Sequence, residues 1–312
     1  MLLAPVRVFP QIEENAEKLN FLRNVVFSKL TKLLSLTSDG ELRELSARGW
    51  RGIGHSSDLA WLALEGARQS PQTFTDELKS MLGQRALLSV GPEHVNDLLD
   101  RLWLKNLVER QNSQIRADLG EGSTFRVGFA DFIQSRFQWK KAEESLSHSW
   151  PEMLDLYRRL VSHVVWVESE EFWSSSSQVA LGLVYVSPKN DWSLAHFIET
   201  IVHETAHIEL RLHQWLDPMI TNPEQRAPSP LRPDPRPLNG VLHSVFVLSR
   251  TTEALRRFAH SVEDEAEREA ALGLLRSFQQ KFLDGLDTLA QYARWTEKGQ
   301  DLFEALKKRS TA

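Results

Sequence analysis

The chain has 312 residues, of which 41% are hydrophobic and 25% are charged, and this composition is that of a globular protein with two or three core-forming units. Its 42 acidic residues outnumber its 37 basic residues, and the resulting net charge of −5 excludes a broad electrostatic attraction for nucleic acid or an anionic membrane. Because the chain has no cysteine, any metal ion must be held by His, Asp or Glu side chains, and a cysteine nucleophile is excluded.

The beginning of the chain does not have the pattern of a secretory signal peptide. It contains only a few apolar residues before Arg7, and it becomes acidic by Glu13. No stretch approaches the roughly 18 uninterrupted apolar residues of a membrane-spanning helix. We therefore expect a cytoplasmic protein.

The N-terminal third is expected to be helical. From about residue 11 to residue 110 the apolar residues recur three and four positions apart, as in Leu19, Leu22, Val26, Leu30 and in Val95, Leu98, Leu99, Leu102. Two glycines in the polar run 119–123 indicate a boundary there. We therefore expect a helical region over residues 1–120, which supports the site or recognises the substrate, and a catalytic region over residues 121–312.

The residue types change after Tyr157. β-Branched and aromatic residues are concentrated at 164–167 and at 179–186, and Ser174 to Ser177 form a polar turn between them, which predicts an antiparallel strand pair. Asp191 or Ser193 can then cap a helix that continues to about Leu216.

A proline-rich segment follows this helix. Six of the 13 prolines fall between Pro223 and Pro237, which predicts a stiff extended connector within a loop over residues 218–237. An apolar helix is expected next, from Val241 to about His260, and a charged helical stretch completes the chain.

The clearest motif is HETAH at residues 203–207, inside the first of these helices. Histidines four residues apart lie one turn apart on one helix face, so both imidazoles can reach a single divalent cation. A strand, a capped turn and a helix that carries this motif are typical of a zincin-like active site. The expected fold is therefore mainly α with a small antiparallel β element, in which a strand pair precedes a zincin-like active-site helix.

An enzymatic metal site needs a third protein ligand and an open coordination position. His213 occupies the place of a third metzincin histidine, but Leu210 stands where a glycine would end the helix, so His213 is expected to point away as a surface residue. Glu253 could supply the distant carboxylate of a gluzincin-type hydrolase. His243 lies one turn into the apolar helix, where a buried core histidine is the alternative to a ligand.

Several segments together resemble a known family. They are HETAH at 203–207, the pair Asp217-Pro218, the run SPLRPDPRPLNGVLH at 229–243, and the strand Gly182-Leu183-Val184-Tyr185. These segments resemble the HExxH-type 2-oxoglutarate-dependent peptide β-hydroxylases of ribosomal peptide biosynthesis. The resemblance covers about residues 174–258, and Leu231 replaces the usual aromatic residue of the family.

The resemblance implies that His203 and His207 bind iron(II), with His243 as the third ligand, and that 2-oxoglutarate and O₂ take the remaining positions. It also implies a cationic partner for the distant carboxylate of 2-oxoglutarate, for which Arg232 and Arg236 are the candidates. Asp234 is expected to orient a ligand imidazole or one of these arginines. The implied substrate is a precursor peptide that is hydroxylated at a β-carbon.

The role of Glu204 differs between the peptide hydroxylase and the alternative, a zinc metallopeptidase. In the peptidase Glu204 would be the general base that activates metal-bound water. In the oxygenase Glu204 would serve orientation or hydrogen bonding. The sequence leaves iron and zinc open, since imidazole suits both, and it also leaves open a non-catalytic peptide-binding protein. Under either enzyme reading, the strand Leu183–Val186 could receive an extended peptide at a sheet edge.

Overall fold

The computed structural model describes residues 93–95, 132–161, 163–170, 172–176, 182–214 and 217–310. Several predictions fall outside these residues. They are the helices expected before residue 93 and over residues 96–110, the boundary expected near residue 120, and the last turn of the helix expected to reach Leu216. The described residues divide between two compact units. One unit contains 135–157 and 190–310, and the other contains 93–95, 132–134 and 158–189.

The described part of the chain is mostly helical, as the sequence predicts. Its elements in chain order are β1 (Glu93–Val95), α1 (Ile133–Ser149), α2 (Pro151–Leu160), β2 (His163–Trp166), β3 (Ser174–Ser176), β4 (Leu183–Val186), α3 (Leu194–Gln214), β5 (Arg226–Ala227), β6 (Arg236–Pro237), α4 (Leu238–Ser261), α5 (Glu265–Tyr292) and α6 (Glu297–Ser310). No helix in these residues is both long and apolar enough to cross a bilayer.

The smaller unit contains a mixed sheet with the strand order β1-β2-β4-β3. β1, β2 and β4 run parallel, and β3 runs antiparallel to β4. The predicted antiparallel pairing of the two apolar segments is therefore wrong, because β2 and β4 are parallel and Ser174–Ser176 is a strand rather than a turn. Val95, which the helical spacing included, lies in strand β1.

The position of β4 excludes the peptide-binding role that we expected for Leu183–Val186. β4 lies between β2 and β3, so both of its backbone edges are already paired. All four of its residues are buried, as are all four of β2. An interior strand has no unpaired edge to offer an extended peptide, and the expectation is wrong.

Helix α3 begins where the sequence places it, directly after Ser193. The carboxylate of Glu267 on α5 accepts hydrogen bonds from the backbone N–H groups of Leu194 and Ala195, at 3.1 and 3.4 Å. These are two of the first N–H groups of the helix, which lack a partner within it, and a negative charge is favourable at this end of the helix dipole. A charged side chain from α5 thus fixes the start of the helix that carries HETAH.

Helices α3 and α4 pack side by side in opposite directions. Gln214, at the end of α3, bonds Asn239 at the beginning of α4, whereas Glu209, earlier in α3, bonds Arg250, later in α4. Apolar residues from α3 to α6 form one buried cluster around these two helices. The core of this unit therefore positions the helices that carry His203, His207 and His243.

The proline-rich segment folds back on itself instead of forming an extended connector. β5 and β6 pair antiparallel, and the Arg226 Nη1 donates to the Pro235 carbonyl at 2.7 Å. Pro230 packs near Gly285 of α5, where a Cβ would lie 3.1 Å from the proline Cγ and 2.5 Å from Val245 Cγ2. A glycine at 285 therefore lets α5 approach both α4 and the loop.

Candidate functional site

The three histidines predicted as ligands lie together between α3 and α4. The ring centroids of His203 and His207 are 4.9 Å apart, and those of His207 and His243 are 5.6 Å apart. The Nδ1 atoms of His207 and His243 approach to 3.3 Å. All three residues are partly exposed, so the structure brings the imidazoles of two helices to one accessible place.

A chain of amide hydrogen bonds orients His243. The Gln214 Nε2 donates to Asn239 Oδ1 at 2.6 Å, and this turns Gln214 Oε1 toward His243 Nε2 at 2.7 Å. An amide oxygen can only accept, so we assign the ring proton to Nε2 and a lone pair to Nδ1, the atom that faces His207. Burial, and then the charge of Arg211, lowers the pKa of His243 to about 3, so the ring is neutral.

His203 is held by a carboxylate in the preceding turn. Its Nδ1 lies 2.9 Å from Glu199 Oε1, and because a carboxylate accepts, Nδ1 carries a proton. Burial lowers the pKa of His203, but the charge and hydrogen bond of Glu199 and the charge of Glu204 outweigh it and raise the pKa to about 9. An imidazole whose Nδ1–H donates to a carboxylate is the usual arrangement of a metal-binding histidine, because it leaves Nε2 for the ion.

His207 lies between the other two rings and is neutral. Burial lowers its pKa well below the ordinary value, and electrostatic interactions with His203, His243 and Arg211 lower it further. Two nitrogens that each lie about 2.05 Å from one ion at a tetrahedral angle are separated by roughly 3.3 Å. The observed Nδ1–Nδ1 distance of 3.3 Å is therefore one at which two ligands can share a cation.

The donor set fits a divalent transition metal in its chemistry. Imidazole nitrogens suit iron, zinc and their neighbours, and acceptors hold the second nitrogen of both His203 and His243. As the side chains are placed, the described residues hold no group of three or more His, Asp or Glu donors arranged for one ion. The pair His207–His243 is at ligand separation, and His203 lies one turn before it.

Glu204 is buried, with 2% of its surface exposed, and it follows His203 directly on α3. Its negative charge helps to raise the pKa of His203, so its carboxylate lies near that imidazole. Either role expected from the sequence, a general base or an orienting group, requires this proximity.

The arginines predicted to bind 2-oxoglutarate lie on the surface of the proline-rich loop. Arg232 is exposed, and the Arg236 Nε is 3.5 Å from Asp234 Oδ2, with 44% of the arginine side chain exposed. Asp234 thus contacts one of the two arginines and none of the imidazoles. Within the described part of the chain, no hydrogen bond joins either guanidinium to His203, His207 or His243.

The two other ligand candidates are His213 and Glu253. α3 continues through Leu210, as the missing glycine predicts, but His213 is buried with 1% exposure rather than on the surface. Glu253 forms ion pairs of 2.6 Å with Arg256 and Arg257, and their charges keep its pKa lowered despite the opposite effect of burial.

Sequence analysis missed three residues of the site: Glu199, Arg211 and Gln214. The spacing could have indicated two of them, because Glu199 and Arg211 lie four residues before His203 and four residues after His207, one turn away on the same face. Gln214 has no such signal, since its role depends on where α4 begins. No protein-family model matches the chain, and no curated protein is detectably similar to it.

Proposed function

We propose that this chain is an iron(II)- and 2-oxoglutarate-dependent dioxygenase that acts in the cytoplasm and hydroxylates the β-carbon of a residue in a ribosomally synthesised peptide. One observation carries the proposal: His243, from a separate helix, brings its Nδ1 to 3.3 Å from Nδ1 of His207 in the HExxH helix. That contact joins the two sequence blocks from which the resemblance to peptide hydroxylases arises.

His203, His207 and His243 are the residues that would hold the metal. Three protein ligands leave coordination positions for small molecules, as non-haem oxygenases require. When bound, iron(II) with 2-oxoglutarate and O₂ supplies the oxidation that converts a C–H bond to C–OH while 2-oxoglutarate becomes succinate and CO₂. Glu199 and Gln214 contribute by fixing the ring orientation of His203 and His243, which sets the nitrogen that each presents.

The test begins with metal content. Protein loaded with iron(II) without oxygen and then given 2-oxoglutarate, O₂ and candidate precursor peptides should form succinate and a peptide heavier by one oxygen atom. His243→Ala should lose iron, whereas His260→Ala, an exposed histidine near the end of the same helix, should retain it. Iron-loaded wild-type protein that consumes no 2-oxoglutarate with or without peptide would contradict the proposal.

The charge of Glu204 beside His203 favours a second candidate, a zinc metallopeptidase. In such an enzyme Glu204 would be the general base for the water that zinc would activate, so Glu204→Gln should keep the zinc but lose peptide cleavage. In the dioxygenase the same variant should still hydroxylate. Zinc-dependent cleavage that disappears in Glu204→Gln decides for the peptidase, and failure to retain any metal decides for a binding protein.

A further inference from the structure

Helix α3 is open to solvent along one stripe. After its first residue, every residue of the helix is buried except six that are partly exposed: His196, Glu199, His203, His207, Arg211 and Gln214. These six recur three and four positions apart, which places them along one face of the helix. The imidazoles of His203 and His207 lie in the middle of the stripe. A long ligand that reaches them can therefore continue along α3 toward His196.

The end of the stripe near the start of α3 is aromatic. Trp192, which lies just before the helix, stacks on His196 with nearly parallel rings, 10° apart, and a centroid distance of 6.0 Å. Phe197 contacts the indole in an edge arrangement at 5.3 Å, and Trp139 contacts Phe197 in the same way at 6.4 Å. Phe197 and Trp139 are buried, whereas Trp192 and His196 are partly exposed. The Trp192–His196 pair is thus an accessible aromatic surface that the core holds in place.

The hydrogen bonds of His196 add a polar donor to this surface. Its Nδ1 accepts from the Ser193 N–H at 3.2 Å, and the Ser193 hydroxyl lies 3.0 Å from the same nitrogen. Because a backbone N–H can only donate, we assign the ring proton to Nε2. No hydrogen bond within the described part of the chain uses this Nε2–H. A donor beside an aromatic surface is complementary to a peptide residue whose carbonyl accepts and whose ring stacks.

The distance from this pair to the imidazoles matches a short length of extended peptide. His196 precedes His203 by seven residues, which is about two turns, or about 10.5 Å along the helix axis. An extended peptide rises about 3.3 Å per residue, so three residues cover roughly the same distance. A peptide that places one residue at the imidazoles and follows the stripe therefore places the residue three positions away at Trp192 and His196.

We propose that the Trp192–His196 pair binds an aromatic side chain of the substrate peptide, three residues from the residue that is oxidised. The inference rests on the proposed function and deepens it, since it names a feature of the peptide that the site selects. Aromatic pairs favour stacked or edge-on contacts, and one such contact corresponds to roughly a 2- to 10-fold preference over alanine. Trp192 is thus a specificity-determining residue.

The experiment uses short peptides of randomised sequence as the probe. The iron-loaded protein receives this library with 2-oxoglutarate and O₂, and tandem mass spectrometry identifies each peptide that gains an oxygen atom and the residue that carries it. With the wild type, Phe, Tyr and Trp should be enriched roughly 2- to 10-fold at three residues from the oxidised one, on one side only. Trp192→Leu should abolish this enrichment and still oxidise peptides that have alanine there.

The kcat/KM values of one enriched peptide and of its alanine counterpart then give a ratio that does not depend on how much of a variant is folded. This ratio should approach one in Trp192→Leu. His196→Gln is a second variant, because glutamine at this position can still accept from the Ser193 N–H while the imidazole ring is lost. It should also lower the ratio.

Trp295→Leu is the matched control, because Trp295 is a partly exposed tryptophan outside α3 that stacks on Phe303 at 4.8 Å. It should keep the wild-type ratio. Oxidised peptides without aromatic enrichment, or an enrichment that persists in Trp192→Leu, overturn the inference and leave the proposed function intact. A library in which no peptide gains an oxygen atom contradicts the proposed function and the inference with it.

Discussion

At the scale of single residues, the hydrogen bonds of each imidazole decide which nitrogen a ligand can reach. Glu199 accepts a hydrogen bond from the Nδ1–H of His203, so Nε2 is the nitrogen left for an ion. Gln214 accepts a hydrogen bond from the Nε2–H of His243. The nitrogen left for an ion is therefore Nδ1, which faces His207. The two outer rings thus present opposite nitrogens, a choice that follows from residues outside the HExxH motif.

His203 should make the metal-free protein less stable as the solution becomes alkaline. Its pKa of about 9 in the folded state exceeds the unfolded value near 6.5, so its stabilising effect is complete below pH 6.5 and is lost as pH rises through 9. The free energy of unfolding should fall by up to about 1.4 kcal/mol per pH unit in that window. Urea denaturation at several pH values measures the slope, and NMR titration measures the pKa itself.

Glu199→Gln is the control for this prediction, because it removes the charge that raises the pKa and should flatten the slope. A His203 resonance that titrates near pH 6.5 in the wild type would contradict the prediction. The high pKa also means that an ion taken up at neutral pH displaces a proton from His203, since only the neutral ring is a ligand.

At the scale of residues, the prediction that His203 and His207 lie on one helix face is confirmed. His203 and His207 share a face because they are four residues apart, and a rigid helix guarantees that result. Arg232 and Arg236 belong to a loop that doubles back through β5 and β6, so their distance in sequence from His243 does not set their distance in space. The charge of a helical residue, Arg211, lowers the pKa values of His207 and His243 instead.

At the scale of elements, one buried ion pair fixes how α3 lies against α4. Both Glu209 and Arg250 are fully buried, and the guanidinium bonds both carboxylate oxygens. Glu209 follows His207 by two residues, and Arg250 follows His243 by seven, so a slip of either helix would break the pair and separate the imidazoles. The bidentate geometry specifies the register as well as the contact.

Removing one member of this pair should be strongly destabilising. Glu209→Gln and Arg250→Met should each lower the free energy of unfolding by roughly 3–5 kcal/mol, since either change removes the bidentate partner of a fully buried charge. The double variant Glu209→Gln with Arg250→Met should lose less than the sum of the single losses. Denaturant unfolding of the four proteins gives the coupling energy.

The surface variant Glu253→Gln serves as the comparison for this cycle. Its ion pairs with Arg256 and Arg257 are partly exposed, so the loss should be about 1 kcal/mol or less. Additive losses for Glu209 and Arg250, or single losses as small as that of Glu253→Gln, would show that the buried pair does not fix the register.

The pairing of the strands could be predicted only in part from the sequence. Continuous apolar runs such as Val164–Val167 are typical of buried parallel strands, and the absence of an alternating pattern was the available signal. The direction of each strand and its partner could not be predicted. Strand β3 consists of three serines, a composition that is typical of a turn rather than a strand. Tertiary pairing with β4 decides its conformation.

At the scale of the whole molecule, the C-terminal helix is tied to the turn that follows α3. Asp217 Oδ1 accepts from the Met219 N–H at 2.8 Å and from Thr296 Oγ1 at 2.6 Å, and the Thr296 N–H donates to the Met219 carbonyl at 2.9 Å. Met219 adopts a positive φ of 64° to allow this. Asp217, part of the segment that resembles the hydroxylases, therefore has a structural role.

Gly299 should be the position at which this tie fails most readily. It lies in α6, and a Cβ there would overlap the backbone carbonyl of Met219, which cannot move without breaking the bond to Thr296. Gly299→Ala should therefore destabilise the protein by about 1–3 kcal/mol, the usual cost of overpacking. Gly273→Ala in α5 is the matched control, because its Cβ meets no atom within 4 Å and alanine favours a helix by roughly 1 kcal/mol. Thermal unfolding should show a lower melting temperature for Gly299→Ala and a higher one for Gly273→Ala. An unchanged or raised melting temperature for Gly299→Ala would show that α6 can shift without loss of stability.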